Sequence, residues 1–219
     1  MKKFVFNRAL ILGGSKGLGK AIANELKKDC RFVETFSSKD IDTSNLDSVK
    51  SFIKKYKNAD ILVLNSGGPQ PLSFKDIDEK VWTKYFNQLF LGFCLILKNL
   101  KVNDNGYIFY ISSSIIKEPS ENLIISSSLR IGFSSVLKSL SKSYSKRGVS
   151  VVNIAPGPFK TNRVKDLVKN INSYEKKLPL KKMGDPREIG MFVNFLTKNK
   201  IKYLTGSVVY FDGNLLNSI

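Results

Sequence analysis

Histidine is absent from the 219 residues of the chain, and cysteine occurs only twice, at Cys30 and Cys94. Without histidine, a nucleophile activated by a histidine base is excluded, and a zinc site is disfavoured because its usual ligands are missing. The two cysteines lie far apart and follow no metal or redox spacing, as is typical of a reduced cytoplasmic protein. The sequence therefore predicts no metal centre.

A long apolar run is also missing. The longest, Leu89 to Leu97, is interrupted by Gly92 and followed by Lys98, whereas a membrane span needs about 20 apolar residues. The N-terminal residues 1–8 lack the apolar core of a secretory signal. We therefore expect no membrane association and a cytoplasmic location.

Acidic residues are half as common as basic ones, 18 against 36, which gives a net charge of +18. Such a surplus suits a polyanionic partner, such as a nucleic acid, an acidic carrier protein or a phosphorylated sugar. However, the basic residues are mostly lysines scattered along the chain, and arginine, which is preferred for reading bases and phosphates, is scarce. A compositional bias toward lysine is the simpler interpretation, and we expect no nucleic-acid partner.

What the sequence does contain is an alternation of short apolar runs and amphipathic stretches. The predicted strands are 8–12, 31–36, 60–65, 107–111, 149–154 and 207–211, with a turn at 103–106. The predicted helices are 20–28, 45–57, 78–100, 121–146, 161–171 and 186–197. This order predicts an α/β fold of the Rossmann type, a doubly wound, mostly parallel sheet with helices on both faces. We expect residues 1–219 to form a single domain.

A glycine cluster follows the first predicted strand directly. It has the spacing Gly-x-x-x-Gly-x-Gly and leads into a predicted helix. Glycines allow a tight turn and close approach to a pyrophosphate, while the helix N-terminus offers N–H groups and a positive dipole end. This context predicts a dinucleotide site. The loop residues assigned to it are Gly13, Ser15, Lys16, Gly17, Leu18 and Gly19.

Five further segments, in order along the chain, make the sequence resemble the short-chain dehydrogenase/reductase family. Asn65-Ser66-Gly67-Gly68 is similar to the family's Asn-Asn-Ala-Gly, and Ile111-Ser112-Ser113 is similar to the segment with its catalytic serine. The run from Pro156 to Thr161 is similar to Pro-Gly-x-x-x-Thr, and 203–206 with 211–214 resemble the closing Thr-Gly and Asp-Gly signatures.

The resemblance implies that further residues bind the cofactor, with Thr161 contacting the nicotinamide carboxamide. These residues are Asn65, Gly67, Pro156, Gly157 and Thr161. Asp42 resembles the family's aspartate that bonds the adenine amino group. The segment before Asp42 is too short for the family's usual helix and third strand, so we expect a sheet shortened between its second and fourth strands.

The end of the second predicted strand favours NADP over NAD. An acidic residue there would accept a bond from the ribose 2′-OH of NAD and disfavour the 2′-phosphate of NADP. Ser37 and Ser38 supply hydroxyls instead, Lys39 follows them, and Lys16 adds a positive charge from the glycine loop. Strand alternation places Glu34 too early to reach the ribose.

The family's catalytic groups are Asn, Ser, Tyr and Lys, and only the serine is matched, by Ser113. In the family, Tyr donates the proton, Ser orients the substrate oxygen, Lys binds the ribose and lowers the Tyr pKa, and Asn holds a relay water. Leu89 stands at the asparagine position, and Ser126 and Arg130 stand where Tyr and Lys are expected. The resemblance thus assigns catalysis to Ser113, Ser126 and Arg130, and ribose binding also to Arg130.

Ser126 and Arg130 are one helical turn apart and share a face, so the spacing of the catalytic pair is kept. An aliphatic hydroxyl is a far weaker acid than a tyrosine with a pKa near 10. Tyr144 is no replacement, because it lies roughly 27 Å further along the same helix. Tyr107 and Tyr110 are expected to be buried packing residues, and a tight-packing role for 126–128 remains open.

Two hypotheses follow. In the first, the chain is an NADP-dependent oxidoreductase with an altered catalytic tetrad, acting on a small-molecule or carrier-bound carbonyl or alcohol. Some relatives with a Gly-Gly-Pro like Gly67-Gly68-Pro69 also lack the tyrosine. In the second, it binds a dinucleotide without redox turnover, as a sensor or partner subunit.

The helices 78–100 and 121–146 are apolar around much of their circumference, which predicts a homodimer or homotetramer.

Overall fold

A six-stranded, fully parallel sheet in the order β2-β1-β3-β4-β5-β6 forms the centre of the computed structural model, which describes residues 4–168 and 170–218. The strands are β1 (Phe6–Leu12), β2 (Cys30–Phe36), β3 (Asn58–Leu64), β4 (Lys101–Ile111), β5 (Ser150–Pro156) and β6 (Ser207–Phe211). The predicted parallel α/β fold is confirmed.

The helices cover both faces of this sheet. They are α1 (Gly17–Leu26), α2 (Leu46–Lys55), α3 (Glu79–Phe86), α4 (Gly92–Asn99), α5 (Ile124–Ser145), α6 (Asn162–Leu167), α7 (Ile171–Lys177) and α8 (Pro186–Lys198). Strand alternation divides the core in two: Leu10 and Leu12 face the side of α2, α4 and α5, and Ala9 and Ile11 face the side of α1 and α8. Burial on both faces explains why the central strands are almost continuously apolar.

Three predicted elements differ from the structure. The helix expected at 78–100 contains a π-helical turn, Asn87–Leu91, between α3 and α4. The turn expected at 103–106 lies inside β4, where Asn105 adopts a positive φ and the pairing with β3 shifts register. The irregularity is thus a bulge within one strand. The helix expected at 161–171 ends early, since α6 stops at Leu167; α7, which begins at Ile171, was not predicted, and residue 169 between them lies outside the described residues.

The sheet is shortened at the β2 edge, as predicted. Within the part of the chain that the structure describes, β2 pairs with β1 alone, and residues 37–45 cross the carboxyl end of the sheet to α2 without a helix or a further strand. Phe32 on this edge strand is 51% exposed, and the Arg31 guanidinium lies 5.1 Å from the centre of its ring. A cation on an edge strand discourages pairing with another chain.

The segment Glu121–Ser145 is long and apolar enough to cross a membrane by length and composition alone. In this fold it packs against the sheet: Phe133 and Leu137 belong to the core, and Arg130 is buried beside them. Core helices of α/β domains have the same composition, because one face of such a helix is covered by the sheet.

Two tyrosines of β4 are fully buried, as predicted, but their hydroxyls differ. The Tyr107 hydroxyl lies 3.0 Å from Leu196 O and 3.1 Å from Ile201 O. Within the described part of the chain, the Tyr110 hydroxyl has no hydrogen-bond partner of ordinary geometry. Burial raises the pKa of Tyr110, and the nearby Arg130 guanidinium offsets part of that increase.

We predict opposite outcomes for removing these hydroxyls. Tyr107→Phe loses a satisfied bond and should lower the free energy of unfolding by about 1 kcal/mol. Tyr110→Phe removes a buried polar atom without a partner and should be neutral or stabilising. Urea denaturation of both variants measures the difference. Equal destabilisation would show that the Tyr110 hydroxyl is bonded in solution.

Candidate active site

A cleft of about 760 Å³ opens at the carboxyl ends of the strands. Ligands of doubly wound folds bind at this edge because the loops that leave the strands meet there. Every residue that the sequence assigned to cofactor binding or catalysis lines this cleft, with the exception of Gly19. These residues are Gly13, Ser15, Lys16, Gly17, Leu18, Ser37, Ser38, Asp42, Asn65, Gly67, Ser113, Ser126, Arg130, Pro156, Gly157 and Thr161.

Gly19 does not line the cleft and closes the glycine loop from behind. A Cβ at this position would lie 2.2 Å from the carbonyl oxygen of Gly13, a distance no side chain tolerates. Asn65 secures the same carbonyl from the end of β3, since its Nδ2 donates to Gly13 O at 3.1 Å. The loop shape is therefore fixed by the close approach of Gly19 to the Gly13 carbonyl and by the Asn65 side-chain hydrogen bond to the same carbonyl, before any ligand binds.

The N-terminus of α1 is suited to an anion. The helix begins at Gly17, its N-cap residue Lys16 makes no side-chain capping bond, and no acidic residue stands in the first turn. N–H groups at such an end are left to solvent or to a ligand, and the helix dipole favours negative charge there. Gly17, at φ +55°, turns the loop toward Thr161, whose Cγ2 would lie 3.5 Å from a Cβ on Gly17. This cradle fits a pyrophosphate.

The loop after β2 supplies the polar rim of the cleft. The N–H and hydroxyl of Ser37 both donate to Asp40, at 2.8 and 2.7 Å, and these bonds lower the pKa of the Asp40 carboxyl. The Ser37 hydroxyl proton is therefore engaged within the loop, and Ser38 and Lys39 provide the remaining polar lining. Glu34 does not line the cleft, because its carboxylate accepts from Arg8 Nε at 2.7 Å.

Asp42 lies in the same loop and is held by the start of α2. Its N–H donates to Ser48 Oγ at 3.0 Å, and its Oδ1 accepts from the N–H and the hydroxyl of Ser44. One carboxylate oxygen is thus used to shape the loop. This anchoring presents Asp42 to the cleft although the usual helix and strand before it are missing.

Arg130 is buried and connects three parts of the cleft. Its Nε donates to Ser126 Oγ at 3.1 Å, its Nη1 to Ile111 O at 3.2 Å, and its Nη2 to Ser66 O at 2.9 Å. The guanidinium therefore ties α5 to the ends of β4 and β3. Sequence reasoning gave it a role at the ribose, whereas its observed contacts are with the protein.

A second buried chain of hydrogen bonds connects Ser112, the neighbour of Ser113, with α5. The Ser112 hydroxyl lies 2.5 Å from Asn153 Oδ1, and Asn153 Nδ2 donates to Ser134 Oγ at 2.9 Å. Ser134 in turn donates to the carbonyl of Arg130 at 2.7 Å. The end of β4, the middle of β5 and α5 are thereby connected, which places Ser113 and Ser126 on the same cleft.

The π-helical turn before α4 presents Gln88, not Leu89, to the cleft. Leu89, at the position where an asparagine is expected, is fully buried in the structure. Gln88 Nε2 donates to Ser66 Oγ at 3.0 Å and to Gly67 O at 2.9 Å. Sequence reasoning missed Gln88, because a helix of regular period gives no sign of a π turn.

The cleft carries far more positive than negative charge. Its described side chains include the cations Lys16, Lys39, Lys84, Arg130 and Arg163, whereas Asp42 is the one acid among them. Sequence reasoning also missed Lys84 and Arg163. Only six of the 36 basic residues are arginines, so each arginine is a candidate for a specific role, and this rarity is the signal that the sequence offers for Arg163.

Residues 18–215 match the family model described as enoyl-(acyl carrier protein) reductase. The 3-oxoacyl-[acyl-carrier-protein] reductase FabG of Buchnera aphidicola is 27% identical, over 94% of this chain and 96% of that protein. The NADPH-dependent reductase BacG of Bacillus subtilis is 25% identical, over 96% and 98%. Among solved structures, L-sorbose reductase from Gluconobacter frateurii, complexed with NADPH and L-sorbose, superposes with a TM-score of 0.87 at 21% identity and covers both chains completely.

Proposed function

Because this chain belongs to the short-chain dehydrogenase/reductase family, we propose that it is an NADP-dependent oxidoreductase of the carbonyl reductase or alcohol dehydrogenase type. When bound, the nicotinamide supplies or accepts a hydride. The observation that supports this proposal is the convergence of the glycine loop, Asn65, Ser113 and Thr161 on one cleft. Relatives named as an acyl-carrier-protein reductase and an NADPH-dependent reductase support a small-molecule or carrier-bound carbonyl substrate.

Ser113 is the proposed donor to the substrate oxygen. It follows Ile111, the last residue of β4, by two positions, and its backbone is extended, at φ −169°. Its Oγ lies 3.5 Å from the N–H of Ile115, which leaves the hydroxyl proton available to a ligand. A hydroxyl held at the mouth of a cleft stabilises the negative charge that develops on a carbonyl oxygen during reduction.

Ser126 and Arg130 occupy the positions proposed to correspond to the family's Tyr and Lys. The Arg130 guanidinium supplies positive charge next to the Ser126 hydroxyl, and Gln88 is the nearby polar group from the turn that contains Leu89. An alcohol accepting a bond from a guanidinium remains a much weaker acid than a tyrosine. We therefore assign proton delivery to water entering the cleft, with Ser126 as a positioning residue.

The alternative function is dinucleotide binding without turnover, as a sensor or a partner subunit. Two observations favour it: of the side chains described along the cleft, none is a tyrosine, and Arg130 donates three of its N–H groups to protein acceptors. Cofactor binding is common to both functions, and only turnover separates them.

We predict that NADPH binds more tightly than NADH, because Lys16, Ser38 and Lys39 surround the proposed site of the 2′-phosphate. Lys39→Gln should weaken NADPH binding about tenfold, the worth of one charge-assisted hydrogen bond, and leave NADH binding unchanged. Lys27→Gln, the same change at the far end of α1, is the control. Calorimetric titration measures the affinity of each cofactor for the wild-type protein and for both variants. Equal or tighter binding of NADH removes the cofactor assignment.

We also propose self-association through α3 and α5. Phe86, Ile131 and Leu140 on these helices are exposed, and apolar groups on neighbouring helices are usually covered by a partner. Ile131→Glu should convert the dimer or tetramer into monomers at micromolar concentration, as measured by light scattering. Phe32→Glu, on the distant β2 edge, should leave the mass unchanged. A monomeric wild-type protein would rule out self-association through α3 and α5.

We predict that Ser113 contributes more to turnover than Ser126. Ser113→Ala should lower kcat about 10²–10³-fold, the usual effect of removing one oxyanion donor, whereas Ser126→Ala should cost less. The double variant Ser126→Tyr with Arg130→Lys restores the family's pair and should raise turnover of simple ketones by NADPH. Steady-state kinetics tests each variant. A folded, NADPH-binding double variant without activity would favour the binding-only function, and wild-type turnover indifferent to Ser113→Ala would refute its role.

A further inference from the structure

The segment that follows β6 turns back across the sheet. The N–H groups of Asn217 and Ser218 both donate to Glu118 Oε1, at 2.8 and 2.7 Å. Glu118 stands in the loop between β4 and α5, and β5 lies between β4 and β6 in the sheet. Residues 212–218 therefore pass over the carboxyl end of β5, and we call these residues the strap.

The beginning of the strap is anchored on the end of β5. Asp212 Oδ2 accepts from the N–H of Leu216 at 2.8 Å, and its Oδ1 accepts from the N–H of Asn214 at 3.2 Å. A Cβ on Gly157 would lie 2.8 Å from Asp212 Cα, so the two backbones are in direct contact. Because Gly157 lines the cleft, the strap starts immediately beside it.

Glu118 is the attachment at the other end of the strap. Within the described part of the chain, the hydrogen bonds of Asn217 and Ser218 both end on this carboxylate. Hydrogen bonds from Ser218 and Asn217 lower the pKa of the Glu118 carboxyl, so these bonds are charge-assisted at neutral pH. Both donors are exposed. Water therefore competes for the carboxylate, and this attachment can open locally while the sheet stays folded.

A short turn connects Glu118 with Ser113. The N–H of Ile116 donates to Ser113 O at 3.2 Å, and the N–H of Lys117 donates to Ser114 O at 3.0 Å. The Ile116 side chain is buried beneath this turn. Two backbone bonds over so few residues make the turn move as a unit, so the position of Glu118 affects that of Ser113.

The loop between β4 and α5 forms a wall of the cleft. Ser113, Ile115 and Leu123 of this loop line the cleft, whereas none of the described strap residues 212–218 does. Near α5 the loop is also tied to the segment after β3, since Leu72 N donates to Asn122 O at 3.0 Å. The strap therefore acts on the cleft only through this wall.

We propose that Glu118 and the strap form a latch that controls access to Ser113. With the latch closed, as in this structure, the wall is held in place and Ser113 keeps its position. With the latch open, the turn at 114–116 is free to move, and the substrate end of the cleft widens to admit substrate and release product. Glu118 is thus a positioning residue. The inference rests on the proposed function only for its kinetic readout.

Hydrogen exchange of the strap tests the latch directly. In the wild-type protein, the amides of Asn217 and Ser218 should exchange more slowly than those of an unstructured chain. Glu118→Ala should remove this protection, as measured by mass spectrometry of a peptide that covers 214–218. Glu121→Ala is the matched control, because it removes an exposed acid from the same loop, and it should leave the protection unchanged.

Thiol labelling measures access to the wall without turnover. Ser113→Cys places a thiol in the cleft, and its reaction with N-ethylmaleimide is followed at that residue by mass spectrometry, apart from Cys30 and Cys94. Adding Glu118→Ala should speed the labelling about tenfold, the effect of losing one hydrogen bond to a charged group. Adding Glu121→Ala should change the rate less than about twofold.

Steady-state kinetics with NADPH and a simple ketone gives the third readout. Glu118→Ala should raise the KM for the ketone and leave the affinity for NADPH unchanged, because the cofactor contacts lie on other loops. Glu118→Gln keeps an uncharged acceptor and should restore part of the wild-type KM. If thermal unfolding shows that Glu118→Ala is misfolded, Ser218→Pro replaces it, since proline removes one N–H donor from the strap and leaves Glu118 intact.

Two results overturn the inference: the strap amides exchange equally fast in the wild-type protein and in Glu118→Ala, or Glu121→Ala speeds the labelling as much as Glu118→Ala does. Labelling that is indifferent to loss of Glu118 also overturns it, since the strap would then not act on the cleft. Failure of the proposed function is a separate result, namely absence of NADPH binding. The exchange and labelling experiments require neither cofactor nor turnover and decide the inference in either case.

Discussion

The buried guanidinium of Arg130 is the interaction on which the geometry of the cleft depends. The guanidinium donates one hydrogen bond to an acceptor in the loop after β3, one to the end of β4 and one to its own helix, α5. A cation can be removed from water only if such acceptors replace its hydration, so the three bonds are required for burial as well as for shape. Once they form, Ser66, Ile111 and Ser126 can no longer move independently, and this end of the cleft is preorganised.

The two halves of the site show how far the sequence alone leads. The cofactor half follows from local rules: glycines at tight turns, a helix that starts without an acid, and strands whose ends meet at one edge. All its predicted members except Gly19 line the cleft, and Gly19 differs because its missing side chain makes room for Gly13 behind the loop. The residues of the sequence motifs are also the residues that line the cleft here, because the backbone itself forms the surface.

The substrate half depends on tertiary contacts that no local pattern records. Gln88 reaches the cleft because the helix widens into a π turn, and Arg163 reaches it because Pro69 accepts its N–H across the opening. The sequence predicts a turn where β4 has its bulge at Asn105 for a similar reason, since polar residues and a glycine suit both. Helix and strand periods predicted the scaffold, whereas irregular positions within it, where function concentrates, became visible only in the fold.

The edge position of β2 has a thermodynamic consequence. This strand has a neighbour on one side only, so it belongs to the least stable part of the sheet, where local opening costs less than global unfolding. The loop that contains Ser38, Lys39 and Asp42 begins directly after the last residue of β2. A ligand held by this loop binds only when β2 is paired with β1. Local opening of the β2 edge and ligand binding to the loop therefore oppose each other. A bound ligand stabilises the edge strand, as a second neighbouring strand would.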